Sequence, residues 1–357
     1  MGMRDFSRGR PTLRDVAKAC GLAPSTVSNA LADKDIVKPE TKALIRKVAH
    51  ELGYRVSPLA SGLRTGKTRS IAMIVSDITN PFHGEVVRGA EEALIEQDYH
   101  LYIANTDGSR SRQSQFIQHF IDRQVDGVIL MSYASNDEDI QALTRAQVPT
   151  VLLVRRHDSV ELDFSGIENE QSVHSVLDFL WSLGHRRIGF IGGPASSSGA
   201  RERLDAYRDF MLKRTGRCDP ALEERGEYSI DSGHQSAYRL LRLEPRPTAL
   251  LVSEDMTAYG VLMAASELGI KVPDELSVVG WDDLFASRLP QINLTTMRVP
   301  KRRLGSNAAK LLIQRMLTPS ADIETRLVRP ELVVRATTGR APEPGAVEPG
   351  LTRHSQT

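Results

Sequence analysis

Leu13 to Leu31, LRDVAKACGLAPSTVSNAL, is the stretch on which the fold turns. Leu13, Val16 and Ala17 recur at helical spacing, and Gly21 interrupts the pattern. A second short helix starting at Pro24 carries Val27, Ala30 and Leu31 inward. Two short helices around a glycine-containing turn predict a helix-turn-helix, whose second helix lies in a DNA major groove. Any two amphipathic helices flanking a glycine share that outline, so the surrounding chain has to decide.

Residues 1–69 carry 14 Lys and Arg against 6 Asp and Glu, while the rest of the chain carries 32 against 39. A small basic head on a large acidic body predicts that the head meets a polyanion and the body does not. Apolar residues interleaved at helical spacing separate the head from a solvated basic tail. Residues 1–10 read as a disordered basic arm, and Ala32–Lys38 as a polar loop. A third helix opens at Pro39-Glu40-Thr41, where proline suits the first turn and Glu40 suits the positive helix end. It places Leu44, Ile45, Val48 and Leu52 on one stripe and stops at Gly53. The segment Ser57–Lys67 is too short and glycine-rich to be a firm helix in water. It reads either as an ordinary linker or as a helix that orders on contact with DNA and a dimer mate.

From Ser70 the pattern changes to strand–helix alternation. Ile71–Ser76, His100–Ala104, Val128–Met131 and Thr150–Val154 read as buried strands, with helices over Glu85–Glu96, Gln113–Arg123 and Glu138–Ala146. The pattern then starts again. Arg187–Ile191, Leu250–Val252 and Val278–Gly280 are strands, and Val173–Leu183, Arg201–Arg214, Gly233–Leu243 and Thr257–Leu268 are helices. A last helix, Lys301–Met316, and a last strand, Leu327–Val334, close the body. Near-continuous apolar strands between helices indicate parallel sheets covered on both faces. The predicted fold is an all-α helix-turn-helix head followed by an α/β core of two open parallel-sheet subdomains. Ligands of such sheets bind beyond the carboxyl ends of the strands, and two units offer a cleft between them.

Several function classes are disfavoured. The two cysteines, Cys20 and Cys218, lack metal-type spacing and are expected to be free thiols in a reducing cytosol. No run approaches ~18 apolar residues, so no membrane span is expected. The basic start, MGMRDFSRGR, lacks the apolar segment of a signal peptide. The expected location is the bacterial cytoplasm, at the nucleoid. Nine histidines occur, but none joins an Asp/Ser motif. Gly192-Gly193-Pro194 is too short to cradle a phosphate, and no GxGxxG opens a helix after the first core strand. Neither an enzyme, nor a cofactor, nor a metal site is expected.

By residue 340 the chain resembles the lactose-repressor/galactose-repressor family of bacterial transcription regulators over nearly its whole length. The matching strings include LRDVAKACGLAPSTVSNAL, KPETKALIRKVAHELGY, LRTGKT, SDITNPFHGEV, VDGVIL, LGHRRIGFIGGP with ARERL, RPTALLVSEDMTAYG, VPDELSVVGWDD, LTTMRVP and RPELVVRATT. The resemblance implies a repressor acting on double-stranded operator DNA as a homodimer or tetramer. It implies a hinge helix, and a core of periplasmic-binding-protein type that holds a small-molecule effector. Repression is the family's commoner mode, with activation as the alternative. A sugar-binding protein without DNA function is a further, weaker one.

The implied domains are 1–10 for the arm, 11–56 for the helix-turn-helix DNA-binding domain and 57–69 for the hinge helix and linker. The effector-binding and dimerisation core takes 70–340, and 341–357 is a disordered tail. Within the core, one subdomain takes about 70–162 and 293–323 and the other about 163–292 and 324–340, with crossings near Leu162, Ile292 and Ile323.

Residue by residue, the resemblance assigns base contacts to Pro24, Ser25 and Asn29. Asn29 suits a bidentate contact to adenine, Ser25 serves several bases, and Pro24 either touches a thymine methyl or only starts its helix. Thr26 and Ser28 are assigned to phosphates, which set register without reading sequence. Ala23 stands where the family often has a capping serine. Leu63 corresponds to the minor-groove wedge, with Ala60 beside it, and Gly62 weakens the isolated hinge helix. Effector contacts fall on Phe82, Arg203 and Asp282, with Asp77 and Arg155 in the same cleft. Their chemistry suits a polyhydroxylated ligand: carboxylates accept from hydroxyls, a guanidinium donates a planar fork, and an aromatic ring covers a sugar face. Arg155 stands where an aspartate is usual, which favours a sugar acid or sugar phosphate, and Glu168 replaces another aspartate.

Overall fold

A computed structural model describes residues 11–54, 67–131 and 137–343. The chain forms two compact units that divide between Arg69 and Ser70.

The first unit is built from α1 (Leu13–Cys20), α2 (Pro24–Leu31) and α3 (Pro39–Leu52). The Asp15 carboxylate accepts from the backbone N–H and hydroxyl of Thr12 at 2.8 and 2.7 Å, which secures the start of α1. Gly21 and Gly53 end their helices in the left-handed region, at φ of 65° and 71°, where a side chain would be strained. Val16, Ala17, Val27, Ala30, Val37, Ile45 and Ala49 form the core. The expected stripe on α3 needs correction, since Leu44 and Leu52 are 49% and 40% exposed. The inward line runs through Ile45 and Ala49; Leu44 is rotated by about 100° from Ile45, and Leu52 falls in the last turn.

The second unit opens with β1 (Ser70–Val75), α4 (Pro81–Ile95), β2 (His100–Asn105), α5 (Arg110–Asp122), β3 (Gly127–Met131), α6 (Asp137–Arg145), β4 (Thr150–Leu153) and β5 (Asp163–Ile167). It continues with α7 (Glu170–Ser182), β6 (Ile188–Gly192), α8 (Ser198–Thr215), β7 (Glu223–Arg225), α9 (Ile230–Leu240), β8 (Ala249–Val252), α10 (Asp255–Glu267) and β9 (Ser277–Asp282). It closes with β10 (Thr295–Arg298), α11 (Lys301–Leu317), β11 (Thr325–Val328) and β12 (Glu331–Val333). One sheet has the order β11-β5-β4-β3-β1-β2 and is parallel throughout. The other has the order β12-β10-β9-β8-β6-β7 and is parallel except where β12 meets β10.

The chain therefore passes between the sheets three times, but each passage lies one strand later than expected. It follows β5 rather than preceding it at Leu162, follows β10 rather than Ile292, and follows β11 rather than Ile323. The expected final strand over Leu327–Val334 is two strands, one in each sheet, separated by Arg329 and Pro330. Two of the missed strands, β5 and β10, carry buried polar side chains that break the apolar pattern. In β5, Ser165 donates to the Leu304 carbonyl at 2.8 Å, while Asp163 accepts from Arg315 at 2.7 and 2.9 Å and from the Glu324 N–H at 2.8 Å. In β10, Thr295 and Thr296 are fully buried, and Thr296 donates to Asp255 at 2.6 Å. Buried polar groups with partners sit stably in a sheet, and hydrophobic patterning does not reveal them.

Two glycine contacts bind α11 to α4. A Cβ on Gly305 would stand 1.9 Å from the Val86 carbonyl oxygen, and one on Gly89 would stand 2.1 Å from that of Arg302. Only hydrogen permits so close an approach of two helix backbones.

Candidate functional site

In the head, Val27 and Ala30 pin α2 to the core and leave its other side outward. Pro24 and Ser25 are exposed, while Thr26, Ser28 and Asn29 are half-buried. Positions four apart are neighbours on a helix, so Pro24 with Ser28 and Ser25 with Asn29 form one strip. Ala23 occupies the N-cap without a side-chain hydrogen bond, and Pro24 at the first position starts the helix. Ala60, Gly62 and Leu63 lie outside the described residues.

In the core, the carboxyl ends of the strands and the starts of the following helices converge on a cleft. Phe82, Arg155, Arg203 and Asp282 line it together. Asp77 does not. Its carboxylate accepts from the N–H and hydroxyl of Thr79 at 2.9 and 2.7 Å, closing a local turn, and its carbonyl accepts from His83 Nδ1 at 2.5 Å. Glu168 also serves its own backbone, accepting from the Gln171 N–H at 2.9 Å at the start of α7.

The cleft has further walls that the motifs did not single out: Asn80, His83, Asn169, Ser197, Tyr228 and Glu254. Asn80 caps α4 by accepting from the Phe82 N–H at 2.9 Å. Ser197 caps α8 and accepts from Arg155 Nε at 3.1 Å. Arg203 donates through Nη1 to Asn169 at 3.0 Å and through Nη2 to the Tyr228 hydroxyl at 3.1 Å, and its guanidinium lies 5.1 Å from the Trp281 ring centre. Asn80, Ser197 and Glu254 each sit just after a strand, the place a ligand site in such sheets predicts. Tyr228 lies between β7 and α9, and no motif marks it.

Charge in the cleft is unbalanced. Burial pushes the Glu254 carboxyl up to about 8, helped by the Asp255 charge and opposed by a hydrogen bond from Asn80. Burial and the neighbouring Glu254 and Asp255 carboxyls also hold Asp282 well above the usual range, against the pull of Lys301 and Arg203. Burial and the Arg155 charge bring His83 down to about 4, so its imidazole is neutral. Asp282 has φ of 118°, and Lys301 Nζ donates to its carbonyl at 2.6 Å. The free volume is about 30 Å³, room for roughly two waters, so the cleft has to open to admit a sugar-sized molecule.

Glu254 yields a pH prediction. Its folded value lies above its ordinary 4.5, so the folded state holds the proton more tightly. The stability this confers is complete below pH 4.5 and is lost as pH rises toward 8. Glu254→Gln removes that loss while keeping the shape. Its melting temperature is expected to exceed the wild-type value by a margin that widens between about pH 5 and about pH 8. A margin that stays constant or narrows in paired thermal melts contradicts the assignment.

Known proteins share both halves of this arrangement. Residues 12–57 match the bacterial regulatory proteins of the lacI family, and residues 177–338 match a periplasmic binding protein-like domain. The HTH-type transcriptional repressor CytR of Escherichia coli is 31% identical over 333 residues, covering 93% of this chain and 97% of its own. The HTH-type transcriptional repressor PurR of Vibrio atlanticus is 29% identical over 327 residues, covering 91% and 98%. Among solved structures, the lac repressor dimer bound to operator and the anti-inducer ONPF matches with a TM-score of 0.82 and 26% identity, over 93% of this chain and 100% of that one.

The chain belongs to the lacI family of bacterial regulatory proteins, whose members bind operator DNA and small-molecule effectors and act as dimers. The relatives named here are transcriptional repressors, not enzymes. Among the described residues, no helix is long and apolar enough to cross a membrane, and no group of His, Cys, Asp or Glu is arranged to hold a metal ion.

Proposed function

We propose that this chain represses transcription as a homodimer, with the tetramer as the alternative assembly, and that a sugar, sugar acid or sugar phosphate in the core cleft controls its hold on operator DNA. Its place is the cytoplasm, at the nucleoid. The observation that carries the reading is the outward strip on α2, with Ser25 and Asn29 on neighbouring turns. Pro24, Ser25 and Asn29 read base edges, Thr26 and Ser28 meet phosphates, and Ala60 and Leu63 enter the minor groove. Phe82, Arg155, Arg203 and Asp282 hold the effector, and an effector that fits one state of the cleft better than another shifts the head between bound and released states.

Gel shifts with promoter fragments test it. Asn29→Ala is expected to weaken operator binding by about fivefold to 150-fold per half-site, since a good base contact contributes about 1–3 kcal/mol. It should also relax specificity at one base pair in each half-site. Equal affinity of the two proteins for the best fragment would remove Asn29 from the reading surface.

A further inference from the structure

We infer that the effector carries an anionic group, a carboxylate or a phosphate on a polyhydroxylated frame, seated between Arg155, Arg203 and the N-terminus of α8. The inference rests on the cleft being the effector site, and it names the charge of what enters.

Three observations converge on one wall. The first is the helix end. α8 runs for 18 residues, its capping residue Ser197 and its second residue Gly199 both face the cleft, and an N-terminus of this kind presents N–H groups and partial positive charge. The second is the pair of guanidiniums. Arg155 and Arg203 are each 7% exposed, and neutral hydroxyls join them: Arg155 donates to Ser197, Arg203 donates to Tyr228, and Tyr228 donates to Ser197 at 3.4 Å.

The third is an unused donor. Arg203 Nε is buried without a hydrogen-bond partner, and the hydrogen bonds that its other nitrogens make among the described residues go to Asn169 and Tyr228 rather than to a carboxylate. A buried donor on a charged group is costly to leave unpaired, and an anion in the cleft supplies the acceptor.

The carboxyls across the cleft offset this wall only in part. Burial and their mutual repulsion raise both Glu254 and Asp282, so the pair gives up its second proton reluctantly, and whichever carboxyl keeps a proton donates to a ligand hydroxyl instead of cancelling an arginine. Another pocket of about 530 Å³ shares Ile167 and Asn169 with the cleft, but five carboxylates between Glu168 and Asp209 face it against the single cation Arg156. An anion belongs in the narrow cleft and not in the wide pocket.

Inorganic phosphate is the simplest probe. Thermal melts of the full chain are compared in phosphate and in chloride at equal ionic strength, for wild type, Arg155→Gln and Gly199→Ala. A Cβ on Gly199 meets nothing closer than 3.7 Å, so that variant keeps the fold while placing a methyl where the anion sits. Phosphate is expected to raise the wild-type melting temperature by about 3 °C at a concentration well above its dissociation constant, and to raise that of either variant by less than about 1 °C. Equal shifts in all three proteins, or none in wild type, overturn the inference.

Gluconate and glucose 6-phosphate then separate carboxylate from phosphate, with glucose as the neutral control. Operator gel shifts on the wild-type chain keep the two readings apart. Release by neutral sugars but not by anionic ones overturns the anion while the effector cleft stands. Failure to bind any promoter fragment strikes the regulator reading alone.

Discussion

Asp283→Ala is expected to destabilise the core by about 3 kcal/mol, the lower end of what breaking a buried ion pair costs. Asp283 is fully buried just after β9, and its carboxylate gathers three arginines. It accepts from Arg298 Nε at 2.7 Å, from Arg288 Nη2 at 3.0 Å and from Arg335 Nη2 at 2.5 Å. Arg288 and Arg298 are about half exposed and return to water easily, whereas the Arg335 side chain is only 12% exposed and would stay stranded. The cost comes mainly from that residue.

Burial alone would raise the Asp283 carboxyl, but the three arginines outweigh it and hold it below the ordinary 3.8. The stability this brings is present above pH 3.8 and disappears as pH falls through the lower folded value. Urea unfolding near neutral pH checks the magnitude. Asp283→Asn, which keeps the shape, separates charge from packing, and a loss under about 1 kcal/mol in both variants would contradict the account.

Gly305→Ala is the second large effect. Its Cβ would meet backbone, the Val86 carbonyl oxygen at 1.9 Å and the Ala90 nitrogen at 2.8 Å, so no side-chain rotation relieves it. Separating α4 from α11 is expected to cost about 3 kcal/mol, the upper part of the usual range for overpacking. The damage also reaches the cleft, because the first turn of α4 carries Phe82 and His83 and the helix is capped by Asn80. The phosphate-induced rise in melting temperature should therefore shrink along with stability. Gly84→Ala, on α4, is the internal contrast. Nothing lies within 4 Å of its Cβ, so it is expected to be neutral or to stabilise by up to about 1 kcal/mol through helix propensity. Equal losses at the two positions would show that helix contact is not the cause.

What could be read from the sequence follows from how each feature is encoded. Helix ends written by a glycine in the left-handed region, Gly21 and Gly53, are local, and the pattern locates them. Central strands such as β3 and β8 are buried along their length and show as apolar runs. The strands β5 and β10 do not, because their interior positions are Asp163, Ser165, Thr295 and Thr296, whose partners lie far along the chain.

The cleft divides in the same way. Phe82, Arg203 and Asp282 stand in recognisable strings, Arg155 stands out as a departure from the family's pattern, and the folded chain brings the four together. Asp77 stands in such a string too, yet its carboxylate is spent on Thr79. Whether an aspartate after a strand faces a ligand or its own backbone depends on a turn conformation that spacing does not record. Glu254 escaped notice for a related reason. A glutamate looks like surface, and only the fold buries it beside Asp255 and Asp282.

The threading of the chain through both sheets has a consequence for biosynthesis. The sheet that begins at Ser70 receives its outer strand only at Thr325, and its covering helix α11 only after residue 300. Neither half of the core is a contiguous fragment, so a nascent chain cannot finish one lobe while the ribosome still works on the other. Maturation has to wait until the residues from Lys301 to Val328 have been made, and shortened versions ending before them should need chaperones or be degraded.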